Sequence, residues 1–186
     1  MAAPLRTRLL DPGTFPDFAR LIESEKIWGG CWCLGFHDRA LLGSGDGRSV
    51  KQALVEADRS HAALVYDGAD VVGWAQYGCA AELPALKNRR EYEANLDRLP
   101  DWRLACLYVA KSHRHRGVAN AAVAGALAAI AEAGGGVTEA YPEEVEGRKV
   151  SGSFLWNGTL PMYERHGFER VRRLGKHKWV VRRVIP

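Results

Sequence analysis

One continuous stretch near the middle of the chain constrains the fold more than any other part of the sequence. It begins with a mostly apolar run at residues 102–109, continues into a basic turn at residues 114–119, and passes into an alanine-rich segment that ends at Gly134. The apolar run is typical of a buried strand, and glycine after such a segment is typical of a helix end. The stretch therefore predicts a strand, a turn and a helix in that order.

The basic turn lies at the predicted N-terminus of that helix. A helix N-terminus offers unpaired backbone N–H groups and the positive end of the helix dipole, and both attract phosphate. Gly117 lets the backbone approach an anion closely, and the small Ala119 leaves room for it. The turn therefore predicts a phosphate-bearing ligand.

The rest of the chain alternates between strand and helix patterns, which predicts an α/β or α+β fold. Strands separated by an Asp-Gly turn, at 62–66 and 71–77, predict a hairpin. The other predicted elements are a strand at 5–10, helices beginning near Phe15 and spanning 50–57, a strand at 137–141, a helix at 159–166, and a closing hairpin of 168–174 with 177–184. Residues 84–100 are charged and predict a solvent-facing helix or an ordered insertion.

Size and composition predict a single domain over residues 1–186, because 47% apolar and 26% charged residues are ordinary for a soluble globular protein. No signal peptide or membrane span is readable, so we expect a cytoplasmic protein without membrane contact. The four cysteines lack the spacing of a disulfide framework or a zinc site, which predicts free thiols and no metal. The net charge of +4 suggests nucleic-acid binding as an alternative, but a phosphorylated ligand explains it equally well.

Two motifs resemble those of the GNAT superfamily of N-acetyltransferases. The basic turn reads Arg-x-x-Gly-x-Ala from Arg114 to Ala119, and Tyr163 to Phe168 reads Tyr-x-x-x-Gly-Phe. The order of the predicted elements resembles this superfamily over nearly the whole chain. The Gly-x-Gly-x-x-Gly and P-loop motifs are absent, which disfavours nicotinamide and nucleoside-triphosphate ligands.

The resemblance implies an α/β (α+β) fold with a mixed, mostly antiparallel sheet of about seven strands flanked by about four helices. It implies that the sheet splays between the strands at 102–109 and 137–141, and that acetyl-CoA lies in the gap. The residues implied to bind the cofactor fall into three groups. The pantetheine arm is implied to contact Leu107, Tyr108 and Val109, and Asn157 is a further contact of the cofactor. The pyrophosphate is implied to contact Arg114, His115, Arg116, Gly117, Val118, Ala119 and Asn120.

The resemblance also places Tyr163 where a hydroxyl protonates the leaving thiolate. The general base stays open between Glu82 and Glu139, acting through water, and an amine that arrives deprotonated. Cys106 as an acyl-accepting nucleophile is a further alternative.

The acceptor side falls by elimination to residues 28–37 and 80–100. Trp28, Trp32 and Phe36 are candidates for an apolar substrate pocket, or they belong to the core under a long loop. The implied activity is acetyl transfer to a primary amine of a small molecule or peptide, with the homodimeric state left open. The alternative is a non-catalytic acyl-CoA-binding protein.

Overall fold

The structure is a computed structural model that describes residues 4–25, 27, 31–43 and 45–186. Its strands form one seven-stranded sheet in the order β1-β2-β3-β4-β5-β7-β6. The strands are β1 (Arg6–Leu9), β2 (His61–Asp67), β3 (Asp70–Cys79), β4 (Trp102–Val109), β5 (Gly136–Ala140), β6 (Glu169–Leu174) and β7 (Lys178–Ile185). The helices are α1 (Phe15–Glu25), α2 (Gly47–Glu56), α3 (Arg89–Ala94), α4 (Val118–Glu132) and α5 (Leu160–Arg165).

The sheet is mixed and mostly antiparallel, as predicted. Only β4 and β5 pair in parallel, and α4 forms the crossover between them. The described part of the chain contains five α-helices rather than about four, because α3 forms within the charged segment 84–100. Both hairpins are present, with β2 paired to β3 and β6 paired to β7.

Helix α2 begins three residues before the predicted start at residue 50. The Asp46 carboxylate accepts hydrogen bonds from the backbone N–H groups of Arg48 (3.0 Å) and Ser49 (3.1 Å). An N-cap of this kind satisfies donors that the first turn of a helix leaves free. The apolar spacing on which the prediction relied begins only at Val50, so it missed this capped first turn.

Helix α4 packs closely on the sheet because small residues face each other. A Cβ added at Gly125 would lie 3.2 Å from the Ala63 Cβ and 3.1 Å from the Thr7 side chain. At the start of the helix, a Cβ at Gly73 on β3 would lie 2.7 Å from the Val118 side chain. Gly125 thus lets the middle of α4 approach β1 and β2, and Gly73 lets the start of the helix approach β3 and β4.

The segment that contains α3 is anchored to the sheet, so the prediction of a solvent-facing helix is incomplete. Tyr92 on α3 is 1% exposed and packs edge-on against Tyr141 with ring centroids 5.7 Å apart. The two rings belong to a second apolar cluster that also contains Leu86, Leu174 and Val180. No helix among the described residues is long and apolar enough to cross a membrane.

Candidate active site

The site is organised by an opening between β4 and β5. The two strands pair over only three residue pairs, from Trp102 with Thr138 to Leu104 with Ala140. Directly after these pairs, β4 contains one additional residue, Ala105. Gln76 on β3 pairs with Cys106, and the next residue of β3, Tyr77, pairs with Leu104, so Ala105 has no partner on β3. This bulge comes where the two strands part, and it agrees with the predicted splay.

Residues 156–157 lie along the edge of β4 within this opening. The Leu107 N–H donates to the Trp156 carbonyl at 2.7 Å, and the Asn157 side-chain amide donates to the Ala105 carbonyl. Asn157, predicted as a cofactor contact, thus lies along the edge of β4 at the opening. The Leu107 N–H, predicted to bind the pantetheine arm, is already bonded to Trp156.

The turn predicted to bind phosphate, residues 114–120, here called the phosphate cradle, is at the N-terminal end of α4. Gly117 precedes the helix with φ +83°, and His115 also has a positive φ of 62°. No side chain caps this helix, so its first backbone N–H groups point outward without a side-chain acceptor. Such an end fits the pyrophosphate of a coenzyme A molecule.

The two arginines of the cradle differ in their partners. Arg116 pairs with Asp67 at 3.3 Å, and His113 contacts the same carboxylate at 3.3 Å. Arg114 forms no ion pair within the described ranges and lies beside the backbone of Gly152. Both arginines are exposed. Arg114 is therefore the more available charge for a phosphate.

Tyr163 on α5 lies beside β4 at the opening. Its side chain is 1% exposed and packs edge-on against Phe168, with ring centroids 5.3 Å apart. A Cβ at Gly158 would lie 3.0 Å from the Tyr163 ring and 2.8 Å from Leu107, which places this ring beside β4. Burial, together with the neighbouring Cys106 sulfur, raises the pKa of the Tyr163 hydroxyl. The hydroxyl is therefore protonated and able to donate.

Cys106 also touches a thiol that the sequence did not connect with it. The Cys33 sulfur lies 3.3 Å from the Cys106 sulfur and accepts a hydrogen bond from the Trp74 indole N–H at 3.1 Å. Cys33 is 3% exposed. Nothing in the spacing of these cysteines indicated this contact.

A chain of buried polar side chains continues from Cys33. The Gln76 amide nitrogen donates to the Cys33 carbonyl at 2.9 Å and lies 3.0 Å from Nε2 of His37. Ser60 lies 3.3 Å from the same His37 nitrogen and accepts from the Lys51 ammonium at 2.6 Å. The sequence analysis overlooked these groups, although Lys51 shares a helical face with the apolar Leu54 and Val55, which would have indicated its burial.

The protonation states of these buried polar side chains follow from their surroundings. Burial and the Lys51 charge lower the pKa of His37 to about 3, so the ring is neutral. The Gln76 amide can donate only to an unprotonated Nε2, which is therefore an acceptor. The Gln76 Oε1 is buried without a hydrogen-bond partner among the described residues. An acceptor atom thus remains available next to Cys106.

Lys178 on β7 lies beside Asn157 and is buried, although it belongs to a basic segment. Its ammonium donates to the Asn157 side-chain oxygen at 2.8 Å and stands 4.5 Å from the Trp156 ring centre. Burial lowers the pKa of Lys178 to about 8. Lys178 therefore stabilises the segment that runs along the edge of β4.

The two carboxylates predicted as candidate bases are both engaged elsewhere. Glu82 bonds the His61 ring at 2.8 Å and its backbone N–H at 3.2 Å. Glu139 is fully buried and accepts hydrogen bonds from Tyr92 (2.7 Å), Tyr141 (3.1 Å) and Arg182 (2.7 Å). Neither side chain shares a hydrogen bond with Tyr163 or Cys106.

The predicted aromatic residues have different positions. Trp32 is 8% exposed and stacks on Phe15 in the main core, at 6.3 Å between ring centroids. Phe36 is half-buried and packs against Trp156 at 5.4 Å, so it borders the opening. Trp28 lies outside the described residues. Among the described side chains, no group of three or more His, Cys, Asp or Glu residues is arranged to hold a metal.

Comparisons with known proteins identify the fold. No family model matches the sequence, and no curated protein is similar to it by sequence. Among solved structures, an acetyltransferase from Thermus thermophilus is 17% identical, with a TM-score of 0.54 and 99% of each chain covered. A GNAT-family acetyltransferase from Streptococcus pneumoniae is 11% identical, with a TM-score of 0.55 and coverage of 98% and 100%.

A third similar structure contains a ligand. The yncA protein of Salmonella typhimurium, described with its cofactor acetyl-CoA, is 13% identical to this chain. Its TM-score is 0.56, and the match covers 99% of this chain and 95% of the other. At such identities the similarity lies in the backbone. This chain has the fold of the GNAT acetyltransferases.

Proposed function

We propose that this protein is an N-acyltransferase that moves an acetyl group from acetyl-CoA to a primary amine within a ternary complex. The observation that carries the proposal is the alignment of three features along β4. The uncapped N-terminus of α4 lies at one end, the β4–β5 opening follows, and the buried hydroxyl of Tyr163 lies beside the opening.

The donor side is supported by the cradle. Acetyl-CoA, when bound, supplies the thioester that is attacked. The backbone N–H groups at the start of α4 and the Arg114 side chain hold its pyrophosphate. The edge of β4 near Val109 would orient the pantetheine arm, and Asn157 would support this edge indirectly, because its amide and its side-chain oxygen are bonded to Ala105 and Lys178.

Tyr163 supplies the proton for the departing sulfur. Because burial raises its pKa, the hydroxyl keeps its proton until a strongly basic thiolate develops nearby. The ring is held by Phe168 and by its contact with the Gly158 region, so the hydroxyl is positioned in advance.

The acceptor amine meets few free bases. Glu82 and Glu139 are bonded to other side chains, and His37 has a pKa of about 3. These facts favour an amine that arrives neutral and attacks directly.

The test combines calorimetry with acetyl-CoA and thiol release over a panel of primary amines. Tyr163→Phe should lower kcat about 100-fold while leaving the acetyl-CoA Kd nearly unchanged. Tyr66→Phe is the matched control, since Tyr66 is also a buried tyrosine, 4% exposed, but its hydroxyl bonds Asp17 on α1.

Two outcomes contradict the proposal. Equal turnover in Tyr163→Phe would remove this residue from the mechanism. Saturable acetyl-CoA binding without thiol release on any amine would favour the non-catalytic acyl-CoA-binding alternative.

A further inference from the structure

Three thiols form a line from the protein surface into the proposed site. Cys31 is exposed, Cys33 is buried, and Cys106 is half-buried on β4. The neighbouring Cys33 raises the pKa of the Cys31 thiol, and the Cys33 sulfur lies 3.3 Å from the Cys106 sulfur. Cys33 and Cys106 are far apart in the sequence, with several helices and strands between them, so only the fold brings them together.

The Cys33–Cys106 contact is close to the geometry of a covalent bond. A disulfide has a sulfur–sulfur distance of about 2.05 Å, so the two sulfurs need to approach by roughly 1.2 Å. Small rotations of the two side chains can supply much of such a movement.

Cys33 is held in place from several sides. Its backbone has φ 55°, a left-handed conformation that a non-glycine residue rarely adopts. Its sulfur accepts from Trp74, and its carbonyl accepts from Gln76. Because these contacts fix Cys33 against β3, the strand that pairs with β4, the encounter of the two thiols costs little additional conformational entropy.

We propose that Cys33 and Cys106 form a reversible disulfide when the protein meets a hydroperoxide, with exposed Cys31 as the point of entry. This modification site is separate from acetyl transfer itself. Its effect on turnover rests on the proposed function, whereas the bond can form without it.

The chemistry balances in three steps. Because Cys33 and burial raise the pKa of Cys31, its thiol must first lose its proton; the resulting thiolate attacks the hydroperoxide, breaks its O–O bond and becomes a sulfenic acid while an alcohol or water leaves. The Cys33 thiolate then displaces water from Cys31 and forms a Cys31–Cys33 bond. Finally the Cys106 thiolate attacks the Cys33 sulfur and releases Cys31 as a thiol. In total two thiols lose two protons and two electrons, and the hydroperoxide accepts them.

The new bond restricts the proposed site. It ties the segment that carries Cys33, Phe36 and His37 to the middle of β4, next to the Tyr163 ring. Loops that border an active site often have to move for substrates to enter and products to leave. The oxidised protein should therefore lose turnover, and a reductant should restore it.

The experiment treats the intact protein with hydrogen peroxide and digests it with trypsin under non-reducing conditions. The diagnostic product is a cross-link between the peptides of residues 27–39 and 104–111, which contain the three cysteines. We expect this cross-link in the wild type, together with a roughly tenfold fall in turnover that dithiothreitol reverses.

Three variants separate the steps. The Cys31→Ser variant should form the same cross-link more slowly. In this variant the peptide 27–39 contains only Cys33, so the cross-link can come only from that cysteine. Cys33→Ser should not form it, and Cys106→Ala serves as a second such variant in case Cys33→Ser does not fold. Cys79→Ser is the matched control, because Cys79 is exposed at the far end of β3 and should change nothing.

The proposal is overturned if peroxide yields no 27–39 to 104–111 cross-link in the folded wild type. It is also overturned if Cys33→Ser and Cys106→Ala lose turnover to peroxide as the wild type does. Should no amine be acetylated at all, the proposed function fails while the cross-link still decides this inference.

Discussion

The phosphate cradle is one continuous run of residues, whereas the polar side chains buried around the β4–β5 opening come from separate parts of the chain. The cradle is exposed, and its ligand groups are mainly backbone N–H groups at the start of α4. The buried groups are His37, Lys51, Gln76, Asn157 and Lys178, each at most 4% exposed and each hydrogen-bonded to another part of the fold.

The two regions should therefore contribute differently to folding stability and to ligand binding. A backbone-built, exposed cradle depends little on any single side chain. A buried polar group depends on its partner, because losing that partner leaves an unsatisfied group away from water. We therefore expect substitutions in the cradle to change ligand affinity and substitutions among the buried groups to change folding stability.

The largest expected effect is that of Asn157→Ala. Asn157 bonds both the Ala105 carbonyl and the buried Lys178 ammonium, and its loss leaves that ammonium with poorer solvation. The free energy of unfolding should fall by about 3 kcal/mol in urea denaturation. Asn120→Ala in the exposed cradle is the control and should change it by less than about 0.5 kcal/mol. Equal effects would abolish the distinction between the two regions.

The second prediction concerns the pH dependence of stability. The pKa of Lys178 is about 8 in the folded protein and about 10.5 as its ordinary value, so the unfolded chain binds more protons between these two values. Stability relative to Lys178→Met should therefore rise with pH from about 8 to 10, by roughly 2 kcal/mol.

Denaturation series at several pH values measure this slope. The exposed Lys176→Met should keep the slope of the wild type. A flat difference between wild type and Lys178→Met would mean that Lys178 is solvated in the folded protein.

The smallest effect belongs to the two arginines of the cradle. Arg114→Ala should weaken acetyl-CoA binding about fivefold, roughly 1 kcal/mol, since this side chain forms no ion pair within the described ranges. Arg116→Ala should weaken it less, because its guanidinium is shared with Asp67. Calorimetry at low and high salt measures both, and neither variant should alter the urea midpoint. A larger loss for Arg116 would reverse the assignment.

Much of the fold was predictable from local patterns. The bounds of β4 agree with the prediction, and α4 differs by about one residue at each end, because apolar runs and glycine stops are local signals. The segment 84–100 was less predictable, because Tyr92 is buried only through its contact with Tyr141 on a distant part of the chain. Periodicity within a six-residue helix does not carry that information.

In the candidate site, too, some residues could be predicted from local patterns and others could not. Residues 114–120 could be predicted as a candidate phosphate-binding turn because their basic residues and glycine are adjacent in the sequence. Cys33 and Lys178 were not, because no spacing relates Cys33 to Cys106 or a basic strand residue to Asn157.

The sequence by itself determined the order of the elements and predicted a phosphate-binding turn at residues 114–120, since both depend on patterns among neighbouring residues. The tertiary structure alone decided which polar groups are buried around the opening, that Glu82 and Glu139 are engaged, and that Cys33 meets Cys106. Those properties depend on the pairing of β3 with β4 and on the packing of residues 31–37 and 156–178 against them. The physical reason is that burial and hydrogen bonding are settled between segments distant in the chain, where local sequence has no influence on the distance between side chains.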